Sequence, residues 1–378
     1  MHDFIYLDHN ATTAIDPAAA SSMTQIMEGE FGNPSSVYFL GARAKQKVEQ
    51  AREEIASLLQ AEGEEIVFTS GGSESNNTVL KGIIDLKRPA DFHIITSAVE
   101  HPAILNAALF LLELGVEVSV LPVDPQGQVD PEDFRKAIGP HTALISIMLA
   151  NNETGTLQPV AEISSIAREY NIPIHTDAAQ AVGKIPVNVR QLGVDFLTVA
   201  GHKLYGPKGV GVLFIKQERE LTPLIHGGGQ EKGNRSGTES TLLATGLGTA
   251  CRIARGRLPQ DELLFRTLRD RLQVLLFEGI DGLVLNGHPK ERLPNTLNVS
   301  VPGIEGAKIL EGLPSVLAST GAACHDQTVK LSHVLSAMGV PPKIGMGALR
   351  FSVGRSNSMN QIEEAAGMII QRVKQMRG

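Results

Sequence analysis

Seven short apolar runs, separated by stretches of helical spacing, occupy the first two thirds of the chain and restrict its fold more than any other feature. They are Ile66-Val67-Phe68, His93-Ile94-Ile95-Thr96, 116–121, 143–149, Pro173-Ile174-His175, Phe196-Leu197-Thr198-Val199 and 210–215. Each is short and continuous, the pattern of strands buried on both faces. Helices fall between several of them. Asp16-Pro17 is a capping residue followed by proline at the first helical position, and opens a helix ending near Gly29. Another runs from near Ser35 to about Gln60, with Val48, Ile55, Leu58 and Leu59 on one face. Two more cover 102–114 and 160–170. The expectation is an α/β fold with a large domain built on a mostly parallel seven-stranded sheet between helices.

Beyond about Pro259 the texture changes. A long charged helix over 261–277 leads into weaker strands at 296–301 and 316–319. A further strand, Leu349-Arg350-Phe351-Ser352-Val353, precedes a helix from Asn360 to about Met376. This reads as a large domain over 15–258 and a smaller α/β domain made of 1–14 and 259–378. The 378 residues, 42% of them hydrophobic, are enough for two such cores.

The net charge is −7 and there is no long basic run, so nucleic acid and anionic membrane surfaces are poor candidates for the main ligand. No apolar run is long enough to span a bilayer, and the first residues lack the basic and apolar regions of a signal peptide. Of the two cysteines, Cys251 falls in a predicted helix and reads as a small core residue. A reducing, cytoplasmic setting is expected. No metal site is expected.

In open α/β sheets ligands sit beyond the carboxyl ends of the strands, and the polar residues gather there. Asp177 ends one strand, and Lys203 follows 26 residues later in the turn after the next. Pyridoxal 5′-phosphate (PLP) needs this combination: an amine to hold its aldehyde and a carboxylate to keep the pyridine nitrogen protonated. Ser70-Gly71-Gly72-Ser73 opens a helix, where free N–H groups and a positive dipole end form a phosphate cup, or simply a capping turn. His101 follows another strand, either as a helix cap or as a ring-stacking acid/base. Asn152 lies in a turn and offers an amide to a cofactor hydroxyl or a substrate carboxylate. Gln180 is a second candidate for the hydroxyl. The segments 227–231 and 235–239 are rich in glycine and donors that can approach a phosphate, across a subunit boundary included. Arg350 suits bidentate capture of a carboxylate, or a surface ion pair. Cys324 follows small residues and reads as an exposed loop thiol, a nucleophile candidate.

Taken in order, these motifs resemble the cysteine desulfurases, PLP enzymes of the class V aminotransferase group with fold type I. The likeness begins at Tyr6-Leu7-Asp8-His9-Asn10-Ala11-Thr12-Thr13 and passes through Gly32-Asn33-Pro34-Ser35-Ser36, 69–77, Val99-Glu100-His101 and Asn151-Asn152-Glu153-Thr154-Gly155. It continues through 175–180, 201–209, 235–238, the Cys324 loop and 349–355. The resemblance implies that Lys203 carries the cofactor, Asp177 faces the pyridinium, His101 stacks on the ring and Gln180 contacts the ring hydroxyl. It also implies that Gly72, Ser73 and His202 bind the phosphate and Thr238 reaches it from the neighbouring subunit of a homodimer. Asn152 and Arg350 would hold the substrate carboxylate. Cys324 would take the sulfur of L-cysteine as a persulfide, leaving L-alanine, and pass it to an acceptor protein.

Three departures stand out. Ala200 replaces a serine common in the family. The string Gly321-Ala322-Ala323-Cys324-His325 resembles selenocysteine lyases and some specialised desulfurases, so L-selenocysteine is an alternative substrate. The chain ends soon after its final helix, so a short or absent scaffold-docking tail is expected. A sulfur carrier acting by partner docking, and an aminotransferase, are further alternatives. The family serves iron–sulfur assembly, tRNA thiolation, cofactor synthesis and DNA phosphorothioation, and the sequence does not choose between them.

Overall fold

The computed structural model describes residues 4–320 and 331–378. Cys324 lies outside the described residues. In chain order the strands are β1 (Ile5–Tyr6), β2 (Ile66–Thr69), β3 (His93–Ser97), β4 (Glu117–Leu121), β5 (Thr142–Ser146) and β6 (Ile174–Asp177). They continue with β7 (Phe196–Ala200), β8 (Gly211–Ile215), β9 (Val284–Asn286), β10 (Thr296–Ser300), β11 (Val316–Leu317) and β12 (Ala348–Ser352). Strands β2 to β8 form one seven-stranded sheet in the order β2-β8-β7-β6-β5-β3-β4. All its pairings are parallel except those of β8, which runs antiparallel to β2 and β7.

The sheet's central strands are apolar on both faces because both faces are covered. On one, Ile95, Ile145, Ile147, Leu197 and Val199 pack with Ala51, Ile55, Ile163 and Leu247 from helices. On the other, Ile94, Leu144, Phe196 and Leu213 meet Val79, Leu80, Ile104 and Leu111. A separate core joins Ile5 and Leu7 to Phe265, Leu272, Leu297, Val299, Phe351 and Ile369. It lies under an antiparallel sheet of order β12-β10-β9 and the two-stranded pair β1-β11.

Several boundaries differ from the sequence reading. The second helix begins at Phe39, since Ser36 N–H bonds back to Asn33 in a preceding turn. Two expected helices are one, Thr241–Gly279, which runs unbroken through Pro259 and carries side chains into both the first and the third cores named above. Proline lacks an N–H and is penalised inside helices, but packing on both sides holds this one together. The strands β1 and β9 are too short to show a period in sequence.

Arg355 fastens the parts together. It bonds Asp261 of the long helix at 2.6 Å and Asp16 at 3.2 Å, and stacks over Tyr205 at 4.1 Å. The carboxyl ends of β3, β5, β6 and β7 face β12 and the segment after β1, and the site forms there.

Candidate active site

Lys203 sits in a tight turn, Gly201–Lys203, directly after β7. Glycine is required at 201, because a Cβ would meet Val210 O at 2.8 Å. The Lys203 Nζ donates to Asn10 O at 2.5 Å and Ala11 O at 2.7 Å. Burial pushes this amine down to about 8, the Arg350 cation adds to the effect, and Asp8 and Asp177 oppose it. A neutral amine is therefore available near neutrality, as a nucleophilic lysine requires.

Asp177 ends β6 and is 7% exposed. Its Oδ2 accepts from Asn76 Nδ2 at 2.7 Å and its Oδ1 from Ala179 N at 2.9 Å. The helix Gly72–Gly82 points its N-terminus into the same cavity. Gly71 ahead of it adopts φ 154, ψ −178, a conformation that side chains disfavour. Strand β8 passes so close that a Cβ on Gly211 would lie 2.6 Å from Gly71 Cα.

His101 is both a cap and a cavity residue. Its Nδ1 accepts from Ala103 N at 3.1 Å at the start of helix Pro102–Glu113, so the neutral ring carries its proton on Nε2. Burial lowers its pKa, and Asp177 counters this. The preceding Glu100 is wholly buried, which pushes its carboxyl up to about 8, and it accepts from Ser97 Oγ at 2.6 Å and from Met148 N at 3.0 Å. His202 is pushed down to about 4 by burial and then Lys203, and its Nδ1 lies 3.1 Å from Thr12 Oγ1.

Arg350 reaches in from β12. Its Nη2 contacts Asp8 Oδ1 at 2.7 Å and its Nη1 donates to Asn152 O at 3.1 Å. Its Nε is buried without a partner among the described residues. Asn151 builds the turn that presents Asn152, its Oδ1 accepting from Glu153 N and Thr154 N, both at 2.9 Å.

One cavity of about 370 Å³ thus gathers Lys203, Asp177, Gln180, His101, Gly72, Ser73, His202, Asn152 and Arg350. That size is ordinary for a small-molecule site. Thr238 does not line it. It borders a separate space of about 90 Å³ with Ser70, Gly209 and Arg235. Sequence reasoning missed Asn10, Ala11 and Asn76, which also line the cavity. Asn76 was legible in principle, since it stands four residues, about one helical turn, after Gly72. The two carbonyls that hold Lys203 leave no trace in side-chain identity.

The residues present suit PLP: a buried amine of lowered pKa, a carboxylate held by two N–H donors, a glycine-led helix N-terminus, and an orphaned buried acceptor, Asn76 Oδ1, facing the same space.

Comparison with known proteins agrees. A curated relative, "Cysteine desulfurase IscS" of Dictyoglomus turgidum, is 46% identical over 352 residues, covering 93% of this chain and 89% of that one. A solved structure titled "NIFS-LIKE PROTEIN" superposes with a TM-score of 0.92 at 35% identity, covering 98% of this chain and 99% of the other. Another, "SspA in complex with cysteine", has a TM-score of 0.80 at 36% identity, covering 93% and 99%. The fold is that of the PLP enzymes of fold type I. The aminotransferase class-V family matches residues 5–364, and the chain belongs to that family.

Proposed function

We propose that this protein is a PLP-dependent cysteine desulfurase that converts L-cysteine to L-alanine and passes the sulfur, through Cys324, to an acceptor protein. The observation that carries this reading is the convergence of Lys203, Asp177 and Arg350 on one cavity. The relatives' names favour cysteine over selenocysteine.

Lys203 would hold the cofactor, with Asp177 at its pyridine nitrogen, His101 over its ring and Gln180 at its hydroxyl. Gly72, Ser73 and His202 would hold its phosphate. When bound, PLP supplies an aldehyde that captures the substrate amine and a protonated ring that accepts electrons. Arg350 and Asn152 orient the substrate carboxylate. The Lys203 amine would take the Cα proton. The Cys324 thiolate attacks the substrate sulfur: an S–S bond forms, the C–S bond breaks, and the electron pair stays on carbon, which takes up protons to become alanine. His101, whose Nδ1 is taken up by Ala103 N–H, would use its Nε2 to shuttle protons between thiols.

Thr238 borders a different space from Lys203, which supports a role towards the cavity of a second copy. Phe31, Val37, Tyr38 and Phe39 form an exposed apolar segment of the kind a homodimer covers. The separate apolar cores support a division into a large domain over 15–258 and a small one made of 1–14 and 259–378. Among the described residues no helix is long and apolar enough to cross a membrane. With Cys251 a free buried thiol, a reducing cytoplasm is our reading of its setting.

The test is alanine release from L-cysteine and from L-selenocysteine, with wild type and Cys324→Ala compared. Cysteine turnover that disappears in the variant supports the proposal. Turnover of selenocysteine alone overturns it.

A further inference from the structure

Lys184 takes no part in the chemistry above, yet it is buried to 4% exposure beside the cavity. It has no carboxylate partner among the described residues. Its Nζ donates to Gln180 Oε1 at 2.8 Å. The ionisable groups that bear on it are all basic: His9 after β1, His202 and Lys203 after β7, and Arg350 on β12. Burial first, then Lys203 and Arg350, hold its pKa well below the usual lysine range, and its Nζ stands as a hydrogen-bond donor to Gln180. Its backbone is fixed against the Lys203 turn: Gly183 takes φ +79, and a Cβ there would meet Leu204 Cβ at 3.1 Å.

The Gln180 amide is oriented by what surrounds it. Its Nε2 donates to Asn10 O at 3.0 Å, the carbonyl that also receives the Lys203 amine. A carbonyl only accepts, so the nitrogen must face Asn10 and the oxygen must face Lys184. The amide's second N–H is then the one left for the cavity, which Gln180 lines. Asn10 O holds the nitrogen and Lys184 Nζ holds the oxygen, so removing Lys184 takes away one of the two contacts that oppose an amide flip.

We propose that Lys184 is a positioning residue that locks Gln180 as a hydrogen-bond donor towards the cofactor's ring oxygen. This rests on reading the cavity as a PLP site. A donor there favours the anionic oxygen, so its loss makes the bound cofactor hold its proton more tightly.

The experiment is a pH titration of cofactor absorbance in the purified holoenzyme for wild type, Lys184→Met, Gln180→Leu and the double variant. The expected result is an upward shift of the protonation midpoint by about one pH unit in each single variant, with no further shift in the double. A Lys184→Met midpoint equal to wild type, or a double-variant shift equal to the sum of the singles, overturns the proposal. Gln180→Glu keeps Lys184 and replaces the donor with an acceptor, so it remains informative if Lys184→Met fails to fold. An upward shift is expected there too, and an unchanged midpoint overturns the proposal. A wild-type protein that takes up no PLP would instead refute the cofactor reading itself.

Discussion

Asn76 Nδ2 lies 2.7 Å from Asp177 Oδ2, so the helix that turns its N-terminus towards the cavity also grips the carboxylate at the end of β6. One element serves the two ends of the space where the cofactor is proposed to lie, and their spacing is set by the rigid rise of a single helical turn.

Asn76→Leu keeps the volume and removes that grip. A hydrogen bond to a charged group is worth about 1.5–3 kcal/mol, so PLP affinity and alanine release should each fall at least roughly tenfold. Fluorescence titration with PLP and steady-state alanine assays would check this. Values matching wild type would show that Ala179 N suffices to orient Asp177.

The Lys203 amine, lowered to about 8 by burial and by Arg350, should govern cofactor loading. Only the neutral amine attacks an aldehyde. The rate of PLP uptake by apoenzyme should therefore rise about tenfold per pH unit below that value and level off above it. In Arg350→Leu a lowering influence is lost and the midpoint should move upward. Stopped-flow absorbance measures both, and a midpoint that stays put or moves down in the variant would refute the assignment.

His175 is buried between Ser146 Oγ at 2.8 Å and Thr198 Oγ1 at 3.0 Å, and burial pushes it down to about 3 from 6.5. The unfolded chain binds a proton below pH 6.5 that the folded chain refuses, so stability is full above 6.5 and drains away as the pH falls towards 3. Between pH 6.5 and 5 this amounts to about 2 kcal/mol. Urea unfolding should show that loss in wild type and a shallower one in His175→Gln, which retains polar ends without the titration.

Arg52 makes a two-pronged contact with Glu231, at 2.8 and 2.9 Å, and Phe68 N donates to the same carboxylate at 2.9 Å. Glu231 and Lys232 adopt φ 48 and 55, unfavourable for non-glycine residues. The buried pair holds the segment leading to Thr238 against β2. Arg52→Met leaves a buried charge uncompensated and should cost about 3–5 kcal/mol in chemical unfolding. A cost under about 1 kcal/mol would place the pair among weak surface bridges.

The seven sheet strands were legible as short apolar runs, although β8 runs antiparallel and β4, at the sheet's edge, is largely exposed, and Lys203, Asp177, Gly72 and Arg350 stood out because the proposed chemistry calls for those residue types. Helix ends were less so. Pro259 reads as a break, yet the helix Thr241–Gly279 continues through it, since packing against two cores outweighs the local penalty. The strand β1 holds only two residues and exists because β11 lies beside it.

By itself, then, the sequence determined the fold class, the order of the strands' residues along the chain and the identity of most polar groups that meet in the cavity. Periodicity and residue chemistry are local properties, and they survive in one dimension. Tertiary structure alone decided that the carbonyls of Asn10 and Ala11 hold Lys203, that Asn76 holds Asp177, and that Lys184 stands behind Gln180. Those relations depend on direction and burial: a carbonyl is the same in every residue until the chain aims it, and a lysine loses its usual basicity only where folding strips it of water and of any carboxylate.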